Sequence, residues 1–163
     1  MQRYNLFNQV HKELRVRLYE TALEVEHTEF WNVDEAETTL RRIAEVVEFF
    51  EKHRNTEDNL VFTIIGNYEP SVKDAFGQEQ LKGRLLGQML SECIVMYRAA
   101  AIITEKAQVG RLLKSAYVKF MMFNVEHMAR EEDVLNPIAW RYLTDEELKN
   151  VNRESSIGNN GSL

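Results

Sequence analysis

Proline and glycine are scarce, two and seven in 163 residues. Few breakers mean long uninterrupted stretches, which favours helix. Cysteine occurs once, as Cys93. That excludes an internal disulfide and any cysteine-rich zinc site. No apolar run approaches the roughly 20 residues that a membrane span needs. The segment from Met1 to Lys12 is polar and mixed, without the apolar core of a signal peptide. An excess of positive charge is also missing: 20 Lys and Arg stand against 26 Asp and Glu, for a net charge of -6. The pair Arg41-Arg42 is too small to make the basic footprint of a nucleic-acid binder. Gly-rich phosphate loops and the GxSxG elbow are absent as well. These absences lead us to expect a cytoplasmic protein that contacts neither nucleic acid nor membrane.

What is present is helical periodicity. Apolar residues make up 44% and charged residues 28% of the chain, the balance of one globular domain with a sizeable core. A first helix is predicted from about Leu6 to Glu29, with Phe7, Leu14, Leu18, Ala22 and Val25 on one face. A second starts near Asp34, read as an N-cap, and runs to about Ile65 with Ile43, Val46, Phe50, Leu60 and Ile64 inward. Pro70 suits the start of a third, reaching about Lys106, whose clearest stripe is Leu86, Met89, Cys93 and Met96. The fourth runs from about Gln108 to Leu135, where Asn136-Pro137 should end it. A short fifth helix is expected from Asp145 to about Asn152. No stretch alternates with period two, so no strand is expected. The predicted fold is all-α: an up-down-up-down four-helix bundle over residues 1–153, with a disordered Ser/Gly/Asn-rich tail over 154–163. The five methionines Met89, Met96, Met121, Met122 and Met128 read as core filler.

The informative positions are polar residues set into these apolar stripes. The second helix reads Val46, Phe50, His53, Glu57, Leu60, and the fourth reads Phe120, Phe123, His127, Glu131, Val134. Each holds a His and a Glu four apart, neighbours on one helix face. His11 falls in line with Phe7, Leu14 and Leu18 on the first helix. Taken singly, His11 fits a core imidazole bonded to a backbone carbonyl, and either pair fits a helix-surface hydrogen bond. As a set they require compensation, because buried carboxylates without positive charge are costly. A metal ion supplies that charge, and mixed imidazole and carboxylate donors suit iron, zinc or manganese. Glu132 and Asp133, next to Glu131, read as solvated.

Two segments carry a family resemblance: Phe50-Glu-Lys-His-Arg-Asn-Thr-Glu-Asp-Asn-Leu-Val-Phe, and His127-Met-Ala-Arg-Glu-Glu-Asp-Val-Leu-Asn-Pro with Leu143-Thr-Asp-Glu-Glu-Leu behind it. With His11-Lys-Glu-Leu-Arg they resemble the motifs of hemerythrin-like (HHE) domains, over about residues 5–150. The resemblance implies a carboxylate-bridged di-iron centre that binds oxygen or responds to it. It implies His11 as the first-helix ligand, His53 and His127 as terminal ligands, Glu57 as a bridge and Glu131 as the second carboxylate.

The third helix departs from the pattern, which places one or two histidines there. Between Pro70 and Lys106 there is none. Gln80 and Arg84 fall at the matching positions, with Glu79 and Lys82 as alternatives. Gln80 or Glu79 could donate an oxygen. Arg84 cannot bind a cation, but pointing inward it would pair with Glu57 or Glu131 in place of one ion. The expectation is therefore a reduced iron site. Three functional readings follow: an iron protein binding or sensing oxygen or redox state, or handling iron; an iron-dependent oxidase or peroxidase; or a metal-free bundle acting through protein contacts or as a homodimer.

Overall fold

The computed structural model describes residues 2–160, of which 156–160 are described by backbone alone. The described residues are almost entirely helical and contain no strand. Helix α1 spans Asn8–His27 and α2 spans Val33–Thr56. A π-helical turn, Glu57–Val61, joins α2 to a short helix α3, Phe62–Tyr68. Helix α4 spans Pro70–Ala99, α5 spans Ile103–Tyr142 and α6 spans Asp145–Asn160. Connections are short, and the long helices contact one another in a closed circuit: α1 with α2, α2 with α4, α4 with α5, and α5 with α1.

The inward stripes of α1 and of most of α2 follow the sequence periodicity. Leu18, Leu40 and Ile43 are fully buried, as are Leu90 and Leu113 across from them. Each such side chain contributes about 1.5–3 kcal/mol. The inward face of α4 is rotated from the one expected. It consists of Phe76, Gln80, Gly83, Gly87, Leu90, Ile94 and Tyr97. Met89 and Met96 are exposed, and Leu86 and Cys93 are only half-buried. Two competing 3–4 stripes run along this helix, and the one containing glycines packs inward because it permits close approach. A Cβ on Gly87 would stand 3.3 Å from the Val47 side chain and 3.6 Å from Phe120. Met122 is likewise exposed, whereas Met128 is buried.

Several boundaries differ from expectation. Helix α2 is capped by Asn32, whose Oδ1 accepts from the Glu35 N–H, and not by Asp34. Helix α4 stops at Ala99, and α5 already begins at Ile103. At its far end α5 passes through Asn136-Pro137 and continues to Tyr142. An interior proline costs about 3 kcal/mol, and here an arm from the N-terminus fastens the following turns. The Leu6 N–H donates to the Asn136 side chain, Trp140 Nε1 donates to the Tyr4 carbonyl, and Arg3 donates to the Trp140 and Leu143 carbonyls. Helix α6 reaches Asn160, past the expected end at Asn152 and through part of the segment read as a tail. Residues 161–163 of that segment lie outside the described residues.

Two apolar clusters result. The larger includes Leu14, Phe50, Leu90, Phe120 and Met128; the smaller includes Phe7, Val61, Phe76, Leu135 and Val151. On α1, α2, α4 and α5 the residues between these clusters are polar, and they form one buried layer.

Candidate metal centre

The buried polar layer is made of His11 from α1, His53 and Arg54 from α2, Glu57 from the π-helical turn, Gln80 from α4, and Asn124, His127 and Glu131 from α5. The side chains of His11 and Glu131 are fully buried, that of Glu57 is 3% exposed and that of His53 10%. The π-helical turn decides what faces inward next to Glu57. The Phe62 N–H reaches back to the Glu57 carbonyl, five residues away. The extra residue rotates the helix, so Val61, Phe62 and Ile65 are buried and the expected Leu60 and Ile64 are not fully so.

Donor atoms of His11, His53, Glu57 and Glu131 all lie within 4.8 Å of one another. His11 Nε2 lies 3.1 Å from His53 Nε2, 3.3 Å from Glu131 Oε2 and 3.6 Å from Glu57 Oε1, and His53 Nε2 lies 2.5 Å from Glu57 Oε1. Donors bound at roughly 2.0–2.2 Å to one ion lie about 3–4 Å apart, so a modest opening of the His53–Glu57 pair suits a shared cation. The hydrogen bonding supports the same reading. Glu57 Oε1 and both carboxylate oxygens of Glu131 are buried and face imidazole Nε2 atoms, 2.5 Å from His53, 2.8 Å from His127 and 3.3 Å from His11, and Gln80 Oε1 is buried without a hydrogen bond. Buried carboxylates this close to imidazoles need a proton or a metal ion between them. His11, His53, Glu57 and Glu131 could hold a metal ion.

The outer contacts fix which nitrogen of each ring faces the centre. His11 Nδ1 lies 2.8 Å from Glu132 Oε1, and His127 Nδ1 lies 2.7 Å from Glu79 Oε2. A carboxylate accepts, so Nδ1 carries the proton in each neutral ring and the Nε2 lone pair points into the layer. Glu132, read from sequence as solvated, therefore holds His11 and also pairs with Arg15 at 2.8 Å. Glu79 serves His127 in the same way and pairs with Arg130. Gln80 is inward, as its register suggested, but its Nε2 donates to Glu57 Oε2 at 2.7 Å. That bond turns Glu57 Oε1 toward the imidazoles.

His127 stands apart from the four. It stacks on Phe123 and lies 2.8 Å through Nε2 from Glu131 Oε1, on the α4 side of that carboxylate. Lys82 is exposed. Arg84 does not point inward: it bonds Glu51, Asn55 and Asp58 at the surface. The buried arginine is Arg54, whose position beside His53 gave no sign in the periodicity. The discoverable signal was Gly83, which a rotated α4 stripe would have placed opposite it.

Electrostatics follow from this crowding. Burial opposes charge on His11, but Glu131, Glu132 and Glu57 outweigh it and push its pKa up to about 10. Burial likewise works against His127, and Glu131 and Glu79 raise it nonetheless. Glu57 is desolvated, yet His53 and His11 hold it well below the ordinary carboxylate range. Without a metal the layer thus balances its carboxylates with protons on imidazoles. A cavity of about 270 Å³ reaches His53 and Glu57 from the side of α6, bounded by Phe7, Val61 and Val151. No described helix is long and apolar enough to cross a membrane. Neither a protein-family model nor a curated protein matches the chain.

Proposed function

We propose that the protein is a hemerythrin-like, non-haem iron protein that binds or senses oxygen, or another small diatomic ligand, or handles iron. The single observation carrying this reading is the buried convergence of donor atoms of His11, His53, Glu57 and Glu131 within 4.8 Å of one another. The helix circuit and short connectors support an up-down-up-down four-helix bundle as the frame. The donor set, two imidazoles and two carboxylates on one shared centre, suits iron, zinc or manganese, and the resemblance to hemerythrin-like motifs favours iron among them. The residues' own part is to hold neutral imidazoles in a set tautomer, exclude bulk water and leave one approach beside His53. Iron bound there would supply redox chemistry.

Anaerobic loading with ferrous iron, desalting and elemental analysis test the reading. Iron should stay with the protein in constant ratio, and its removal should lower the melting temperature, because a bound ion stabilises the folded state. Folded protein that retains no metal sinks the proposal. The cavity beside His53 is larger than a diatomic molecule needs, which gives a second reading, an iron-dependent oxidase or peroxidase acting on a small substrate. Oxygen or peroxide consumption by iron-loaded protein with added reductant separates the two.

A further inference from the structure

The α4 side of the polar layer is built around a buried guanidinium. Arg54 is 2% exposed. Its Nη2 donates to Asn124 Oδ1, and Asn124 is itself fixed by donating to the Phe120 carbonyl at 2.8 Å. Its Nε is buried and makes no hydrogen bond, and its Cζ lies 5.5 Å from the centre of the Phe50 ring. The space it fills exists because residue 83 is glycine. A Cβ on Gly83 would stand 2.5 Å from Nη2, 2.6 Å from Nε and 2.8 Å from Cζ. Among surrounding carboxylates, Glu57 acts on it most strongly.

We infer that Arg54 is a resident cation that restricts the centre to one divalent ion, held by His11, His53, Glu57 and Glu131. This rests on the metal-binding reading above and narrows it. Two arguments carry it. The first is charge. Glu57 and Glu131 bring two negative charges to the layer, and Arg54 cancels one. One divalent ion more than balances the remainder. A second would add two positive charges beside Arg54 with no free carboxylate to meet them, since Glu79 and Glu132 already face Arg130 and Arg15. The second argument is donors. The buried face that α4 turns to the layer offers Phe76, Gln80 and Gly83, so its buried donor is the Gln80 amide oxygen, while the Glu79 carboxylate beside it is already engaged by His127 Nδ1 and Arg130. His127, that oxygen and one oxygen of Glu131 make a poor second set.

Titration of the metal-free full-length protein with ferrous iron under anaerobic conditions tests this, with the thermal midpoint of the metal-free protein read alongside. Wild type should take up one equivalent. Arg54→Met, similar in length but uncharged, should bind the ion about tenfold tighter or more, because a nearby positive charge opposes it. The same variant should melt lower without metal, having lost a counter-charge. Arg54→Lys should keep the wild-type affinity within about threefold. A side chain important only for packing would weaken both readouts together. If Arg54→Met fails to fold, Gly83→Ala, which displaces the guanidinium without removing it, should still tighten binding. Two equally tight equivalents in wild type, or unchanged or weaker binding when the charge is removed or displaced, overturn the inference and leave the iron reading standing. No binding in wild type overturns both.

Discussion

The two halves of the buried layer are built from similar residues but do opposite things. On the α1–α2 side, His11 and His53 aim Nε2 atoms at Glu57 and Glu131, and protons on the imidazoles offset the negative charge there when no metal is bound. On the α4 side, His127 sits against Glu131, Gln80 occupies one oxygen of Glu57, and Arg54 brings a permanent charge. One half lacks a permanent cation and the other already contains one. Buried polar groups thus define a metal centre less by their number than by which of them remain unmatched.

The sharpest way to break this comparison is to remove one donor from each half. Glu57→Ala should abolish tight iron binding, a loss of 100-fold or more in a competition titration. His127→Ala should cost about tenfold, the size of an outer-contact effect. Equal losses would show that the halves are not distinct. The next effect in size concerns the outer carboxylates. Glu132→Gln should weaken iron binding by roughly 10-fold, because a neutral amide replaces the charged acceptor that holds the His11 Nδ1–H. Glu79→Gln, on the other half, should change it by less.

A pH effect follows in the metal-free protein. The pKa of His11 is raised from an ordinary 6.5 to about 10, so the folded state holds a proton that the unfolded chain releases. That stability is fully present below about pH 6.5 and is lost as pH rises toward 10. Melting temperatures of the metal-free protein should fall across that window. Iron binding should strengthen over its lower part, since the ion needs neutral imidazoles. A melting temperature that is flat or rising there contradicts the assignment of His11 to the unmatched half.

The helical class and the two His–Glu pairs were legible in the sequence because regular helix repeats faithfully along α1, the first part of α2 and the middle of α5. The pairs His53–Glu57 and His127–Glu131, with His11, do meet in one layer. Three features were not legible, each for a physical reason. The π-helical turn after Glu57 adds a residue to the repeat, which no fixed period anticipates, so Leu60 and Ile64 were misplaced. Helix α4 carries two apolar stripes, and glycine's small volume decided between them. That choice set Gln80 inward, turned Arg84 out and made room for Arg54. Helix α5 passes Pro137 because Arg3, Tyr4 and Leu6 of the distant N-terminal arm bind its last turns, a contact absent from local sequence.

The smallest effect probes two methionines expected in the core. Met89→Gln and Met122→Gln, exposed at 47% and 64%, should each change stability by less than about 0.5 kcal/mol in urea unfolding. Losses of about 2 kcal/mol or more would mean that these methionines are core after all.

The most direct test of the central claim is an anomalous-difference map at the iron edge from crystals loaded anaerobically with ferrous iron. The account predicts one peak per chain, among His11 Nε2, His53 Nε2, Glu57 and Glu131. No peak there, or a second of equal height beside His127, would contradict it.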